Sequence, residues 1–301
     1  MRLDRKKELQ SDMMLVIVTF FWGLSYVAMN IAMTGMDPFV LNTYRFLIGF
    51  LTVAVFFRKR LLTTNRKTLK SGIICGLLFT MVYNLTTFGV KYTTVSNAAF
   101  LAATPVIIIP IMEFIVFRKR PPKKIAAAVL ICTVGVMFLT LTEDFSLNMS
   151  HLRGDIYSLL TGISYSAEII YSGRAVSDDD VDAFNMGVIG LLVTGIATLV
   201  LSMIFGDPCF STDPKVVIAV LFLSIFCTGV ALVIQPIAQQ YTEPSHVGII
   251  YSLEPVFATI TAFLVEHEVL TPRAYLGEVM ILSSVILMEL NFDKKKKGRG
   301  A

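Results

Sequence analysis

Ten apolar segments of membrane-spanning length fill nearly the whole chain, near 13–33, 38–57, 72–90, 94–117, 124–141, 154–173, 184–205, 215–238, 244–266 and 273–290. A helix needs roughly 20 mostly apolar residues to cross a hydrocarbon core about 30 Å thick. Lipid offers the backbone no hydrogen-bond partners, so each segment must satisfy its own polar groups, which a helix does. The connections leave no room for a soluble domain. The pattern predicts an all-α membrane protein with ten transmembrane helices. A composition with 55% hydrophobic and 16% charged residues agrees with that class.

The basic residues then orient the chain. Alternating sides from the N-terminus, one side collects Arg2 to Lys7, Arg58 to Lys70, Arg118 to Lys124, Arg174 and the tail Lys294 to Arg299. The other side receives only Lys91, Arg153, Lys215 and Arg273. A 21-to-4 split of this kind is a positive-inside signal and predicts cytoplasmic termini in a bacterial-type plasma membrane. The net charge of +4 is explained by this placement and needs no nucleic acid. The first apolar run is too long for a cleavable signal. Cys75, Cys132, Cys209 and Cys227 have no metal or redox spacing. Asn148-Met149-Ser150 is a glycosylation sequon in an outer loop, a pattern short enough to arise by chance.

Sliding the chain by 150 residues superimposes Pro105-Val106 on Pro255-Val256, Pro122 on Pro272, Val129 on Val279 and Ile131 on Ile281. With one residue of slip, Tyr92-Thr93 and Ser96 fall on Tyr241-Thr242 and Ser245. The order of elements repeats as well. Residues 1–141 and 154–290 therefore read as two five-helix repeats, followed by a basic tail over 291–301. Five crossings is an odd number, so the second copy must lie inverted, the architecture of many alternating-access carriers.

Phe21-Trp22-Gly23, Tyr44-Arg45-Phe46, Tyr83-Asn84-Leu85, Gly154-Asp155, Leu253-Glu254-Pro255-Val256, and Glu268 followed by Gly277 give the chain a resemblance to EamA-type members of the drug/metabolite transporter superfamily. That resemblance implies ten helices, cytoplasmic termini and a central cavity lined mainly by spans 1, 3, 4, 6, 8 and 9. It also implies amino acids or related metabolites as solutes, moved outward. The chain departs from the family in having Arg118-Lys119-Arg120 after span 4, and Tyr165-Ser166-Ala167 where span 6 commonly has Trp.

Polar groups within a bilayer mark cavities or interhelical hydrogen bonds. Span 1 places Trp22, Tyr26 and Asn30 at helical spacing, span 6 does so with Tyr165 and Glu168, and span 9 with Tyr251 and Glu254. Tyr83, Asn84 and Thr87 in span 3, Asn97 and Thr104 in span 4, and Gln235 in span 8 complete the candidate substrate-binding set. Glu254 is the sharpest of these. It stands mid-span before Pro255, where a kink is expected, and is a proton or substrate-ammonium site or else a helix clamp. Glu168 lies nearer the cytoplasm, where it faces an aqueous vestibule. Arg45 and Glu278 stand at similar depth and read as a buried ion pair. Pro105, Pro110, Pro236 and Pro255 interrupt spans 4, 8 and 9, and Gly72-x-x-x-Gly76 marks close packing within the bundle.

These features describe a secondary transporter rather than an enzyme. No phosphate loop of the ATPase type is present. The alternatives are a passive channel, and an intramembrane Mg²⁺-dependent prenyltransferase-like enzyme using the acidic run Asp178 to Asp182. The enzyme lacks its second acidic segment, and the channel lacks a charged filter ring. No cofactor or bound metal is called for. The expected partners are a small amine-bearing solute, a coupling proton and the lipid bilayer, with the chain a monomer or homodimer.

Overall fold

The computed structural model describes residues 5–117, 123–140, 149–207, 211–242, 244–251 and 253–289. Arg118-Lys119-Arg120, Pro122, the sequon residue Asn148, Cys209 and the tail 291–301 lie outside the described residues, as do the side chains of Glu113 and Cys132. Among the described residues every regular element is helical. They are α1 (Arg5–Met33), α2 (Pro38–Leu61), α3 (Arg66–Tyr92), α4 (Val95–Ala102), α5 (Pro105–Phe117), α6 (Lys123–Thr140), α7 (Leu152–Ala175), α8 (Ala183–Phe205), α9 (Pro214–Ser224), a π-helical turn (Ile225–Val230), α10 (Ala231–Gln239), α11 (Pro244–Tyr251), α12 (Glu254–Glu266) and α13 (Pro272–Glu289).

Among the described residues six stretches are long and apolar enough to cross a membrane: Leu9–Met33, Pro38–Leu61, Arg66–Tyr92, Val95–Met112, Ala183–Phe205 and Pro214–Gln239. The other four predicted spans are helical too. Of these, α7 is more polar, with Arg153, Asp155, Glu168 and Arg174, and the ninth span is divided between α11 and α12.

Helix starts follow local chemistry. Asp37 caps α2 by accepting the Phe39 N–H at 2.9 Å, Asn65 accepts from Thr68 at 2.8 Å and Asp182 from Asn185 at 3.1 Å. Pro38, Pro105, Pro214, Pro244 and Pro272 each open a helix, where the missing N–H would have no intrahelical acceptor. Proline thereby does more than kink. Ahead of Pro255, Leu253 is a turn residue outside the helices, as Ala103 and Thr104 are ahead of Pro105 in the first half. Pro110 and Pro236 remain inside α5 and α10.

The packing pattern repeats when each spanning unit is advanced by five. α1 lies against α9, α10 and α12, as α7 lies against α3 and α4. α3 packs on α8 as the α9–π segment packs on α2, while α2 with α8, and α6 with α13, map onto themselves. Glycines permit the tightest seams. Gly72 and Gly76 meet Ile189, Gly190 and Val193 of α8, where Thr194 donates to the Gly76 carbonyl at 2.9 Å.

At the end of the bundle carrying the N-terminus, the 62–65 turn is stapled to the acidic run. Arg60 pairs with Asp182 at 3.0 Å, Lys67 with Asp178 at 3.0 Å and Asp180 at 2.7 Å, and Asn65 donates to the Asp180 carbonyl at 2.6 Å. The acids proposed for magnesium thus face basic side chains. The Asp180 backbone N–H, then Lys67, hold the Asp178 carboxyl below its ordinary range. That contribution is present above the usual carboxylate pKa and fades as pH falls through the lowered one. Asp182→Ala removes both a cap and a half-exposed pair, so it is expected to lower stability by about 1 kcal/mol, chiefly through the cap. Thermal melting in detergent reads this. An unchanged melt means the cap contributes nothing.

Candidate substrate cavity

The centre of the bundle holds a small cavity where α1, α2, α3, α7 and α12 converge. Its walls include Trp22, Tyr26 and Met29 from α1, Arg45 from α2, Tyr83 from α3, Thr161 and Tyr165 from α7, and Glu254 from α12. The free volume is about 20 Å³, room for about one water molecule. An organic solute therefore enters only if the helices separate.

Aromatic rings form one wall. Trp22 meets Tyr251 edge-on at 5.0 Å and Tyr165 at 5.9 Å, and the two tyrosines stack at 5.7 Å with planes 10° apart. The Trp22 indole donates to the Cys227 carbonyl at 2.9 Å. That carbonyl belongs to the π-turn, whose wider winding loosens the usual backbone pairing. The buried Tyr165 and Tyr251 hydroxyls have no partner that meets hydrogen-bond geometry.

Two ionisable groups share this space. Glu254 is hydrogen-bonded by the Tyr26 hydroxyl and lies within the field of Arg45. Arg45, only 1% exposed, donates to Thr228 Oγ1 at 2.5 Å and to Met29 Sδ at 3.3 Å, and its guanidinium sits 4.6 Å from the Tyr83 ring. The expected pairing with Glu278 does not form. Glu278 instead accepts from Thr259 at 3.0 Å, because α13 packs on α6, away from α2. Similar depth along two helices says nothing about which faces meet. Arg45 is therefore a cavity residue that sequence reasoning assigned elsewhere. The available signal was a lone arginine amid an apolar span, which by default marks function.

Of the thirteen candidate residues, Trp22, Tyr26, Tyr83, Tyr165 and Glu254 line the cavity, and Tyr251 packs on its rings. The rest go elsewhere. Asn30 donates to Glu266 at 2.8 Å, beside a separate apolar groove of about 610 Å³ on the other flank of α1. Each i+4 step rotates about 40° around a helix with 3.6 residues per turn, so Asn30 has drifted roughly 80° from Trp22. Asn84 and Thr87 join Asn42, whose amide donates to them at 3.2 and 3.1 Å, in a seam between α2 and α3. Asn97 hydrogen-bonds Asp155, and Thr104 donates to the Leu101 carbonyl at 2.9 Å while pressing on Gly162. Glu168 is 0% exposed, not in a vestibule. It accepts from Gln235 at 2.8 Å and from the Cys75 thiol at 3.4 Å, because α7 turns that face toward α3 and α10.

Comparison with known proteins places this architecture among carriers. The model of the EamA-like transporter family matches twice, over residues 9–141 and 152–290. An uncharacterized transporter of Archaeoglobus fulgidus is 31% identical over 94% of this chain and 87% of its own length. The uncharacterized transporter YoaV of Bacillus subtilis is 24% identical, covering 94% and 97%, and protein PagO of Salmonella typhimurium is 22% identical, covering 84% of each. One crystal structure superimposes with a TM-score of 0.70 at 16% identity, covering 93% of this chain and 96% of that one, a likeness of fold alone.

Proposed function

This chain belongs to the EamA-like transporter family, and from that premise we propose that it is a secondary transporter of small zwitterionic metabolites, amino acids or close relatives, working by alternating access. The observation that carries the reading is Arg45 and Glu254 together in one small, aromatic-walled cavity. A solute carboxylate suits the planar fork of Arg45, and its ammonium suits Glu254 and the faces of Trp22 and Tyr165. Arg45 is 1% exposed and Glu254 is partly buried, so a solute lacking one pole leaves a largely desolvated group unmatched and is rejected.

The two halves are proposed to form inverted five-helix repeats in a ten-span molecule with cytoplasmic termini. The repeated packing pattern and the doubled family match support the duplication, and five crossings per unit require the inversion. A single-water cavity favours a carrier over an open channel. Export is the direction the family resemblance implies.

Two measurements test this reading. In a thermal-shift screen of purified protein, compounds bearing both ammonium and carboxylate are expected to raise the melting temperature, and Glu254→Gln is expected to erase the shift. At ligand concentrations 100-fold above Kd the stabilisation amounts to about 2.7 kcal/mol. A screen in which no zwitterion shifts the wild-type melt sinks the substrate class. For topology, single cysteines at Asp179 and at the exposed Met149 are expected to label from the cytoplasmic and the outer side respectively. The reverse pattern overturns the orientation.

A further inference from the structure

We propose that Glu168, outside the central cavity, is the binding site of the coupling proton, so that solute and proton are held by different carboxylates. The proposal rests on the transport reading above and assigns its driving ion a place.

Glu168 is the most completely sealed carboxylate among the described residues. It is 0% exposed, and its two oxygens meet only the Gln235 amide at 2.8 Å and the Cys75 thiol at 3.4 Å. Among the described residues no cation lies within ion-pair distance, whereas Glu254 has Arg45 in its field. The groups facing Glu168 are Cys75 and Tyr83 from α3, Gln235 from α10, Tyr251 from α11 and Tyr165 from its own helix, with Glu254 beyond these tyrosines. α4 and α8 carry no titratable side chain toward it. The side chains of Glu113 in α5 and His246 in α11 lie outside the described residues. An ionised carboxylate in such neutral company is strongly disfavoured, so in this closed state the group carries a proton.

Its surroundings make a path of that site. One turn toward the cavity stands the Tyr165 hydroxyl, which faces the Tyr251 hydroxyl. One turn the other way, Ser172 Oγ of α7 and the Gln239 amide of α10 are buried and lack partners, as does Gln235 Oε1. Three helical residues of α7 (Tyr165, Glu168, Ser172) and two of α10 (Gln235, Gln239) thus draw a polar line from the cavity toward the end where α7 and α10 terminate. Dry helix packing leaves few such orphans. A separation of α7 from α10 exposes Glu168 to that end and lets the proton leave as H⁺, with the carboxylate then hydrated. The charged and neutral forms therefore favour different arrangements of these two helices, the condition for coupling.

The test uses infrared difference spectroscopy on the intact protein in lipid, stepping pH with no solute present. A protonated-carboxyl stretch is expected in the wild type, absent in Glu168→Gln and retained in Glu254→Gln. Gln235→Ala, which keeps the acid, should shift both the frequency and the titration midpoint of that band. Loss of no band in Glu168→Gln, or a band untouched by Gln235→Ala, overturns the proposal. Should Glu168→Gln fail to fold, the Gln235→Ala band shift alone decides.

Proteoliposomes loaded with a radiolabelled mixture of the twenty common amino acids supply the second readout. Glu168→Gln is expected to keep solute exchange but lose at least tenfold of the pH-gradient-driven accumulation. Equal gradient response in that variant and the wild type overturns the coupling role. A wild type that moves no member of the mixture counts against the substrate reading, while the band assignment still stands or falls by itself.

Discussion

Arg45→Leu is expected to reduce transport per folded molecule roughly 30- to 4,000-fold. Truncating one member of a buried charged pair costs about 2–5 kcal/mol in binding, and each 1.4 kcal/mol is about tenfold. Removing Arg45 also leaves Glu254 without its counter-charge, a destabilising change for a buried pair, so rates are compared per folded molecule. Thr228 loses one donor, yet the ring of Tyr83 still packs against Phe46 at 4.9 Å and Phe79 at 6.0 Å. Arg45→Lys is the sharper control. It keeps the charge but loses the planar stack on Tyr83 and the fork aimed at a carboxylate, so it should behave more like Leu than like Arg. Initial rates in proteoliposomes, with melting curves alongside, read both effects. Wild-type rates in Arg45→Leu would falsify the pairing of Arg45 with solute.

Gly49→Leu is expected to prevent folding. α2 crosses the π-turn here with no room for a side chain. A Cβ on Gly49 meets the Ser224 carbonyl oxygen at 2.9 Å and the Gly229 nitrogen at 3.2 Å, and one on Gly229 meets the Gly49 carbonyl at 3.0 Å. These obstacles are backbone, so no rotamer change relieves them. Overpacking costs about 1–3 kcal/mol where side chains can adjust, and more where they cannot. Gly190→Ala supplies the contrast, because its nearest new contact is the Phe79 ring at 3.6 Å, an ordinary van der Waals distance. Size-exclusion profiles after detergent extraction separate the cases. A monodisperse Gly49→Leu peak at wild-type yield means that α2 and the π-turn can part without harm.

The two positions illustrate what one dimension can and cannot carry. Tyr44-Arg45-Phe46 stands out in the sequence as a charge within apolar surroundings, but its partner does not. The choice between Glu278 and the cavity depends on which helices adjoin α2, and these are chiefly α8, α9, the π-turn and α3, with α13 not among them. Gly49 is one of 19 glycines and carries no local mark of its role.

The sequence by itself determined the all-helical class, the helical segments, the family and the candidate aromatic and acidic residues of spans 1, 3, 6 and 9. Those properties arise from hydropathy, caps and prolines acting over a few residues, and such short-range causes are written in order along the chain. Only the tertiary structure decided which polar stripes converge. It sent Asn84 and Thr87 into a packing seam with Asn42, turned Asn30 to Glu266, sealed Glu168 between α3 and α10, and brought Arg45 to Glu254. Helical periodicity specifies which residues share a face. Which neighbour that face meets depends on the rotation and crossing of helices that are distant in sequence, and close contacts such as Gly49 on Gly229 set that crossing.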